Sequence, residues 1–177
     1  MQPVAPFPSR KDAAADALRV PPHSQEAEQA VLGGLMLDNS TWEQVSDWLD
    51  EHDFYRADHR LIFRAIRRLA DQGKPFDLLT LAEWLEDRAE LEDASGFAYL
   101  GVLAHDTPSA ANVRAYAEII RERAIRRELI RTATDIADSA YDPKGRSSKE
   151  LLDEAEKRVF AIAEQGAHAQ QGFANIK

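Results

Sequence analysis

The chain has 177 residues, 44% hydrophobic and 30% charged, with a formal net charge of −9 at pH 7 and no cysteine. Those figures describe an ordinary globular chain of one domain, or one domain with an appendage. They exclude disulfides, thiolate metal sites and a cysteine nucleophile, and they argue against a basic coat over the whole chain. No apolar run approaches the roughly 20 residues of a membrane helix, and the N-terminus lacks the apolar block of a signal peptide. The expected location is the cytoplasm, with no membrane contact.

The charge is unevenly spread. Residues 24–109 hold eighteen acidic and seven basic side chains, whereas residues 110–131 hold six arginines against three glutamates. An acidic body is followed by an arginine-rich stretch.

Residues 1–22 contain five prolines and few long apolar side chains, which predicts a disordered N-terminal arm with room for a short helix over Lys11–Arg19. Ser24 then reads as a helix N-cap, followed by Ala27, Val31, Leu32, Leu35 and Met36 at helical spacing. Gly33-Gly34 inside that helix costs about 1 kcal/mol per glycine against alanine, which predicts close approach of a neighbouring backbone. Ser40-Thr41-Trp42-Glu43 and Thr80-Leu81-Ala82-Glu83 have capping-box spacing. Trp42, Val45, Trp48 and Leu49 are expected on one face behind the first box. Between the boxes, Asp58 opens a helix with the stripe Leu61, Ile62, Ala65, Ile66 and Leu69, stopped by Gly73 and Pro75. Ser95 or Gly96 begins a short helix carrying Phe97, Leu100 and Leu103.

Thr107-Pro108-Ser109 breaks the chain. A helix without Gly or Pro then runs from about Ala110 to Tyr141, long enough at 1.5 Å per residue to outreach a small domain. Asp142-Pro143-Lys144-Gly145-Arg146 is a turn, Ser147-Ser148-Lys149-Glu150 a third capping box, and the return helix carries Leu152, Ala155, Val159 and Ile162 at seam-like spacing until Gly166. No segment alternates like a strand, so the expected fold is all-α: a small multi-helix bundle followed by a protruding antiparallel helical hairpin. The return helix should cover Leu129, Ala133, Ile136 and Ala140. Ile125, Ile130, Leu151 and Phe160 fall off that seam, and exposed apolar flanks mark an interface.

Catalytic and metal signatures are missing. The Gly73-Lys74 pair lacks the spacing and the Ser/Thr of a phosphate-binding loop, and the five scattered histidines read as solvated or capping residues. Clustered carboxylates such as Glu83, Glu86, Asp87, Glu90, Glu92 and Asp93 read as a solvated face. Arg121, Arg123, Arg126, Arg127 and Arg131, joined by Arg64, Arg67 and Arg68, are the nucleic-acid candidates. Arg123, Arg127 and Arg131 recur every four residues, and their mutual repulsion favours a polyanion or an acidic partner. Without stacking aromatics, protein contact is the favoured reading.

The run from Val20 to Asp38 (VPPHSQEAEQAVLGGLMLD) resembles the opening of the N-terminal domain of bacterial replicative DNA helicases of the DnaB type. Asp53-Phe54-Tyr55, the block from Asp58 to Phe63, the block from Asp77 to Glu83, Gly96 to Leu100, Asn112 after Thr107-Pro108-Ser109, and Tyr116 to Arg123 resemble later blocks of the same family. The resemblance spans about residues 20–164 and implies a helical domain with a hairpin. It implies self-association, from dimer up to a trimer-of-dimers collar on a hexamer, with primase and a helicase loader as partners. It also implies a motor on another domain that uses ATP and Mg to move 5′→3′ along DNA, with no catalytic residue in this chain. The expected organisation is an arm over 1–22, a globular domain over 23–108, the hairpin over 109–165 and the start of a linker over 166–177. The interface residues expected on the hairpin are Ile120, Ile125, Leu129, Ile136, Leu152, Val159 and Phe160. A free-standing helical adaptor without a motor is the alternative.

Overall fold

The computed structural model describes the backbone of residues 19–174 and the side chains as far as residue 167; the expected helix over Lys11–Arg19 lies outside this range, Arg19 excepted. The described residues form helices joined by turns and loops, with no strand among them. Helix α1 spans Gln25–Leu37, α2 Ala57–Asp71, α3 Leu78–Glu86, α4 Gly96–Asp106, α5 Val113–Tyr141 and α6 Ser148–Ala174. Two 3-10 helices, Asn39–Gln44 and Glu51–Asp53, bridge α1 and α2.

Side-chain caps fix most of the boundaries. Ser24 accepts from the Ala27 amide at the start of α1, as its sequence position predicts. The two central capping boxes are displaced. Asp38, not Ser40, caps the first 3-10 helix, taking the Ser40 amide and hydroxyl. Asp77, not Thr80, caps α3, taking the amides of Leu79 and Thr80. A carboxylate satisfies the orphan donors of the first turn with a full charge, which sets the helix starts at Asp38 and Asp77 and leaves Ser40 and Thr80 inside the helices. The third box forms as expected: Ser147 and Glu150 exchange backbone and side-chain bonds at 2.7 and 3.2 Å. Gly73 ends α2 in the left-handed conformation.

Helix α1 is central, packing on α2, α4 and α5. Val31, Leu32 and Leu35 of α1 meet Ile62, Phe63 and Ile66 of α2, with Leu81, Leu85, Leu100 and Leu103 closing the core from α3 and α4. Each such side chain contributes about 1.5–3 kcal/mol on burial. Helix α5 joins the same core through Val113, Ala117 and Ile120, so its first two turns belong to the body and only the rest projects. A Cβ on Gly33 would overlap Thr107 Oγ1 and the Leu103 carbonyl, and one on Gly34 would overlap Val113. The double glycine is what lets α1 lie against the end of α4 and the start of α5.

The 29-residue α5 is about 43 Å long. Asp142-Pro143-Lys144-Gly145 turns the chain through left-handed positions at Lys144 and Gly145. Helix α6 then runs antiparallel to α5 and continues through Gly166, the expected stop, to Ala174. Gly166 faces Ile125, whose Cδ1 lies 3.7 Å from where a Cβ would sit. That is ordinary van der Waals distance, so the glycine neither ends the helix nor is demanded by a close neighbour.

Gly33→Ala is expected to destabilise the chain by about 1–3 kcal/mol through this overlap, whereas Gly101→Ala, with Leu78 Cδ2 at 4.0 Å as its closest neighbour, gains helix propensity. Urea unfolding of the two variants against the wild type measures the contrast.

Candidate functional site

Two polar clusters fix how the hairpin leaves the body. The first is buried within the body. Glu28 of α1 is 1% exposed and His59 of α2 fully buried. Glu28 Oε2 lies 2.6 Å from His59 Nδ1, and Oε1 accepts from the Tyr55 amide. The other ring nitrogen, Nε2, is 2.7 Å from the Tyr99 hydroxyl of α4. With Nδ1–H donating to the carboxylate, Nε2 accepts from Tyr99, and three helices are joined by one imidazole. His59 is therefore neither solvated nor a cap. Asp58 accepts from Arg56 Nε at 3.0 Å and from Ser95 Oγ at 2.7 Å. Burial alone would raise its carboxyl, but those bonds and the neighbouring Arg56 charge hold it at about 2.

The second cluster sits at the hairpin root. Asp53, at the end of the second 3-10 helix, is 4% exposed. Its Oδ2 accepts from the Asp50 amide and its Oδ1 from Arg121 of α5 at 2.5 Å. Arg121 also donates to the Gln165 carbonyl of α6. Arg127, one and a half turns further along α5, donates to the carbonyls of Asp53 and Pro22 and lies over the Tyr55 ring. His23 stacks on the other end of this group, its ring 4.1 Å from that of Tyr55. Burial pushes the Asp53 carboxyl up and the Arg121 charge offsets it. The Arg127 guanidinium is pushed down, first by burial and then by the facing charges of Arg60 and Arg131.

This clamp divides the arginines that the sequence groups together. Arg121 and Arg127 hold the hairpin in place. Arg131 pairs with Glu128 on the same helix, and Arg123 has no side-chain partner among the described residues. The face of three arginines four apart is therefore not one binding surface. Arg64 is paired with Glu90, and Arg67 caps the Leu49 carbonyl while lying over Trp42. The described residues hold no group of three or more His, Asp or Glu side chains placed to bind a metal ion, and no helix long and apolar enough to cross a membrane.

The seam of the hairpin differs from the expected one by one residue. Leu152 is 70% and Val159 45% exposed, whereas Leu151 and Ala155 are half-buried and Ile162 is buried. The residue of α6 that completes this spacing is Arg158, which bonds Asp135 across the seam and Glu154 on its own helix. A charged side chain in a seam position carries no hydrophobic signal, so a pattern search slips to the apolar neighbours. On α5 the seam is Ile125, half-buried, and Thr132, buried; beside it Ile136 is half-buried and Leu129 49% exposed. Ile120 is 1% exposed and lies in the body core, so it offers no interface. Phe160 is 61% exposed on the back of α6.

In heptad terms Leu129 and Ile136 on α5, and Leu152 and Val159 on α6, all flank the seam on its e side, where antiparallel helices bring their e positions together. Ile136, Leu151, Leu152 and Ala155 line one open groove near the tip, with Glu154 and Arg158 at its border. Arg131 and Asp138 stand on the other side of the α5 seam.

Residues 20–122 match the DnaB-like helicase N terminal domain family. The chain belongs to that family. It is 49% identical over 157 residues to the replicative DNA helicase DnaB of Pasteurella multocida, and 45% identical over 159 residues to that of Geobacillus stearothermophilus. Those matches cover 89% and 90% of this chain but 34% of each relative, so the chain spans about a third of their length. The crystal structure of the N-terminal domain of DnaB helicase from Mycobacterium tuberculosis superposes with a TM-score of 0.77 at 34% identity, covering 80% of this chain and 99% of that one. A structure of a DnaB-like replicative helicase and its interactions with primase shares the fold at TM-score 0.68 and 22% identity, over 80% of this chain and 31% of that one.

The helicase-like sequence blocks now have physical roles. Glu28, Asp53, Tyr55, His59, Tyr99 and Arg121 all fall inside them, and all belong to the two clusters. The blocks mark a buried scaffold that aims the arm.

Two outcomes are expected. Arg121→Ala leaves Asp53 buried without its cation, costing about 3–5 kcal/mol, and hydrogen exchange at the first half of α5 should rise most. Because the folded Asp58 carboxyl lies below its ordinary value, its contribution of about 2 kcal/mol is present above roughly pH 4 and lost as pH falls toward 2. The stability gap between wild type and Asp58→Asn should therefore narrow as pH falls, while Asp53, raised by burial, responds in the opposite direction in both proteins. Urea titrations at several pH values read the gap; a constant gap contradicts the assignment.

Proposed function

We propose that this chain is the collar and partner-docking domain of a replicative DNA helicase. In this reading its copies associate through the arms, from dimers up to a hexamer arranged as a trimer of dimers. The collar gives primase and a helicase loader a surface to engage, in the cytoplasm beside the nucleoid. Unwinding, 5′→3′, and the ATP and Mg it uses belong to a motor domain that acts with this one. This chain carries no phosphate-binding loop, so alone it should not hydrolyse ATP. DNA contact comes through the assembled hexamer.

The observation that carries this reading is the apolar flank Leu129, Ile136, Leu152 and Val159 on an arm whose root is locked to the body. Exposed apolar stripes of this kind are unfavourable on a free monomer and stabilising when covered. A rigid root converts one pairing event into a fixed spacing between bodies, which is what a ring needs. Phe160 and the half-buried Ile125 border the flank and are proposed as its rim. Arg131, Arg123 and the acidic side of the arm are proposed to set orientation by charge.

Leu152→Asp combined with Val159→Asp should weaken self-association about tenfold or more, as loss of a buried interface centre does. Sedimentation equilibrium measures assembly, and capture by the primase helicase-binding domain measures docking. Unchanged assembly and unchanged capture, in a variant with wild-type circular dichroism, would overturn the proposal.

A further inference from the structure

The hairpin root leaves a cleft that the two polar clusters do not fill. It encloses about 480 Å³ between the stretch joining α1 to α2, helix α2 itself and the roots of both arm helices. That volume lies in the range of small-molecule sites. Four arginines stand in its wall: Arg60 from α2, and Arg121, Arg127 and Arg131 from α5. The carboxylates among the lining residues are Asp50, Asp53 and Glu128. A chain with a net charge of −9 thus gathers an excess of guanidinium in one concave place.

The pairing inside the cleft leaves positive charge over. Arg121 is paired with Asp53, and Arg131 with Glu128. Among the described residues, Arg60 hydrogen-bonds only to the carbonyls of Phe54 and Tyr55, and Arg127 only to those of Asp53 and Pro22. A carbonyl satisfies an N–H but does not neutralise the cation that carries it. The strain shows at Arg127, whose guanidinium is pushed down first by burial and then, against the pull of Glu28 and Asp53, by Arg60 and Arg131. Arg121 adds a donor: its buried Nε–H has no acceptor among the described residues. A buried donor left in this way is costly unless an acceptor comes from outside the chain.

The remaining wall is largely apolar. Trp48 contributes from the body, and Ala124, Ile125 and Ile162 from the arm. A carboxylate accepts from one planar fork. A phosphate has oxygens for several forks, which suits arginines arriving from two helices. We propose that this cleft binds a small organic phosphate, its phosphate accepting from the guanidiniums and its flat, less polar part lying against Trp48, Ile125 and Ile162. The site goes beyond the collar reading and does not depend on self-association. Because its walls come from the body and from the arm, an occupant ties the two together. Binding therefore stiffens the hairpin root and stabilises the folded chain by mass action.

The probes are adenosine monophosphate, adenosine and inorganic phosphate, titrated calorimetrically into the 177-residue chain, which has no phosphate-binding loop to compete for them. The nucleotide should bind, and adenosine and inorganic phosphate should each bind about tenfold more weakly or not at all. Hydrogen exchange should slow on adding the nucleotide over Glu51–Asp53 and over residues 121–131. Two variants of one partly exposed ion pair should move affinity in opposite directions. Arg131→Gln removes a donor and should weaken nucleotide binding about tenfold. Glu128→Gln removes a competing carboxylate and frees Arg131, and should tighten it about threefold. A purely structural effect of breaking the pair would move both variants the same way. Circular dichroism and the thermal midpoint without ligand check that each variant is folded. The proposal is overturned if the nucleotide does not bind, if adenosine or inorganic phosphate matches it, if the protected segments lie elsewhere, or if the two variants shift affinity in the same direction.

Discussion

Asp53 is the hinge point of the molecule. One nearly inaccessible carboxylate ends a 3-10 turn of the body, accepts from the Asp50 amide and takes the Arg121 guanidinium of the long helix. Its carbonyl takes Arg127 from the same helix. A buried charge held by one cation is costly to expose and costly to strip, so α5 has one direction in which it can leave the body. Everything beyond it inherits that direction: the seam with α6 and the apolar flank.

The fold was largely legible in the sequence. Periodicity located all six α-helices because their apolar spacing is strong, and Gly33-Gly34 signalled close packing that the approach of Thr107 and Val113 accounts for. Boundaries were less legible where two capping residues compete. Ser40 and Thr80 fit a motif, yet Asp38 and Asp77 stand two and three residues earlier and start the helices there, taking the amides of Ser40 and Thr80 themselves with a full negative charge. Motif spacing alone does not rank two candidate caps. Gly166 lies inside α6 because one glycine costs a helix only about 1 kcal/mol and does not by itself stop it.

The site was less legible, and the reasons are particular. The expected seam of Leu152 and Val159 follows hydrophobicity, whereas the real one uses Arg158, satisfied by Asp135 and Glu154. Ile120 looked like arm and is core, because the body reaches further up α5 than the proline break suggests. The arginines looked like one basic face. Burial separates them: two serve the clamp, and among the described residues Arg123 and Arg126 are left without a side-chain partner. His59 stands in a helicase-like block, but its role gave no local signal, since its carboxylate partner lies 31 positions away and only the folded bundle joins them.

The polar seam has a mechanical consequence. At the root, the arm is fastened by charges shielded from solvent, which ions in solution hardly reach. Toward the tip its two strands are held in part by Arg158 between partly exposed carboxylates, bonds that dissolved ions do weaken. The arm therefore behaves as a cantilever with a stiff mounting and a compliant free end, whose give rises with ionic strength while its bearing stays fixed.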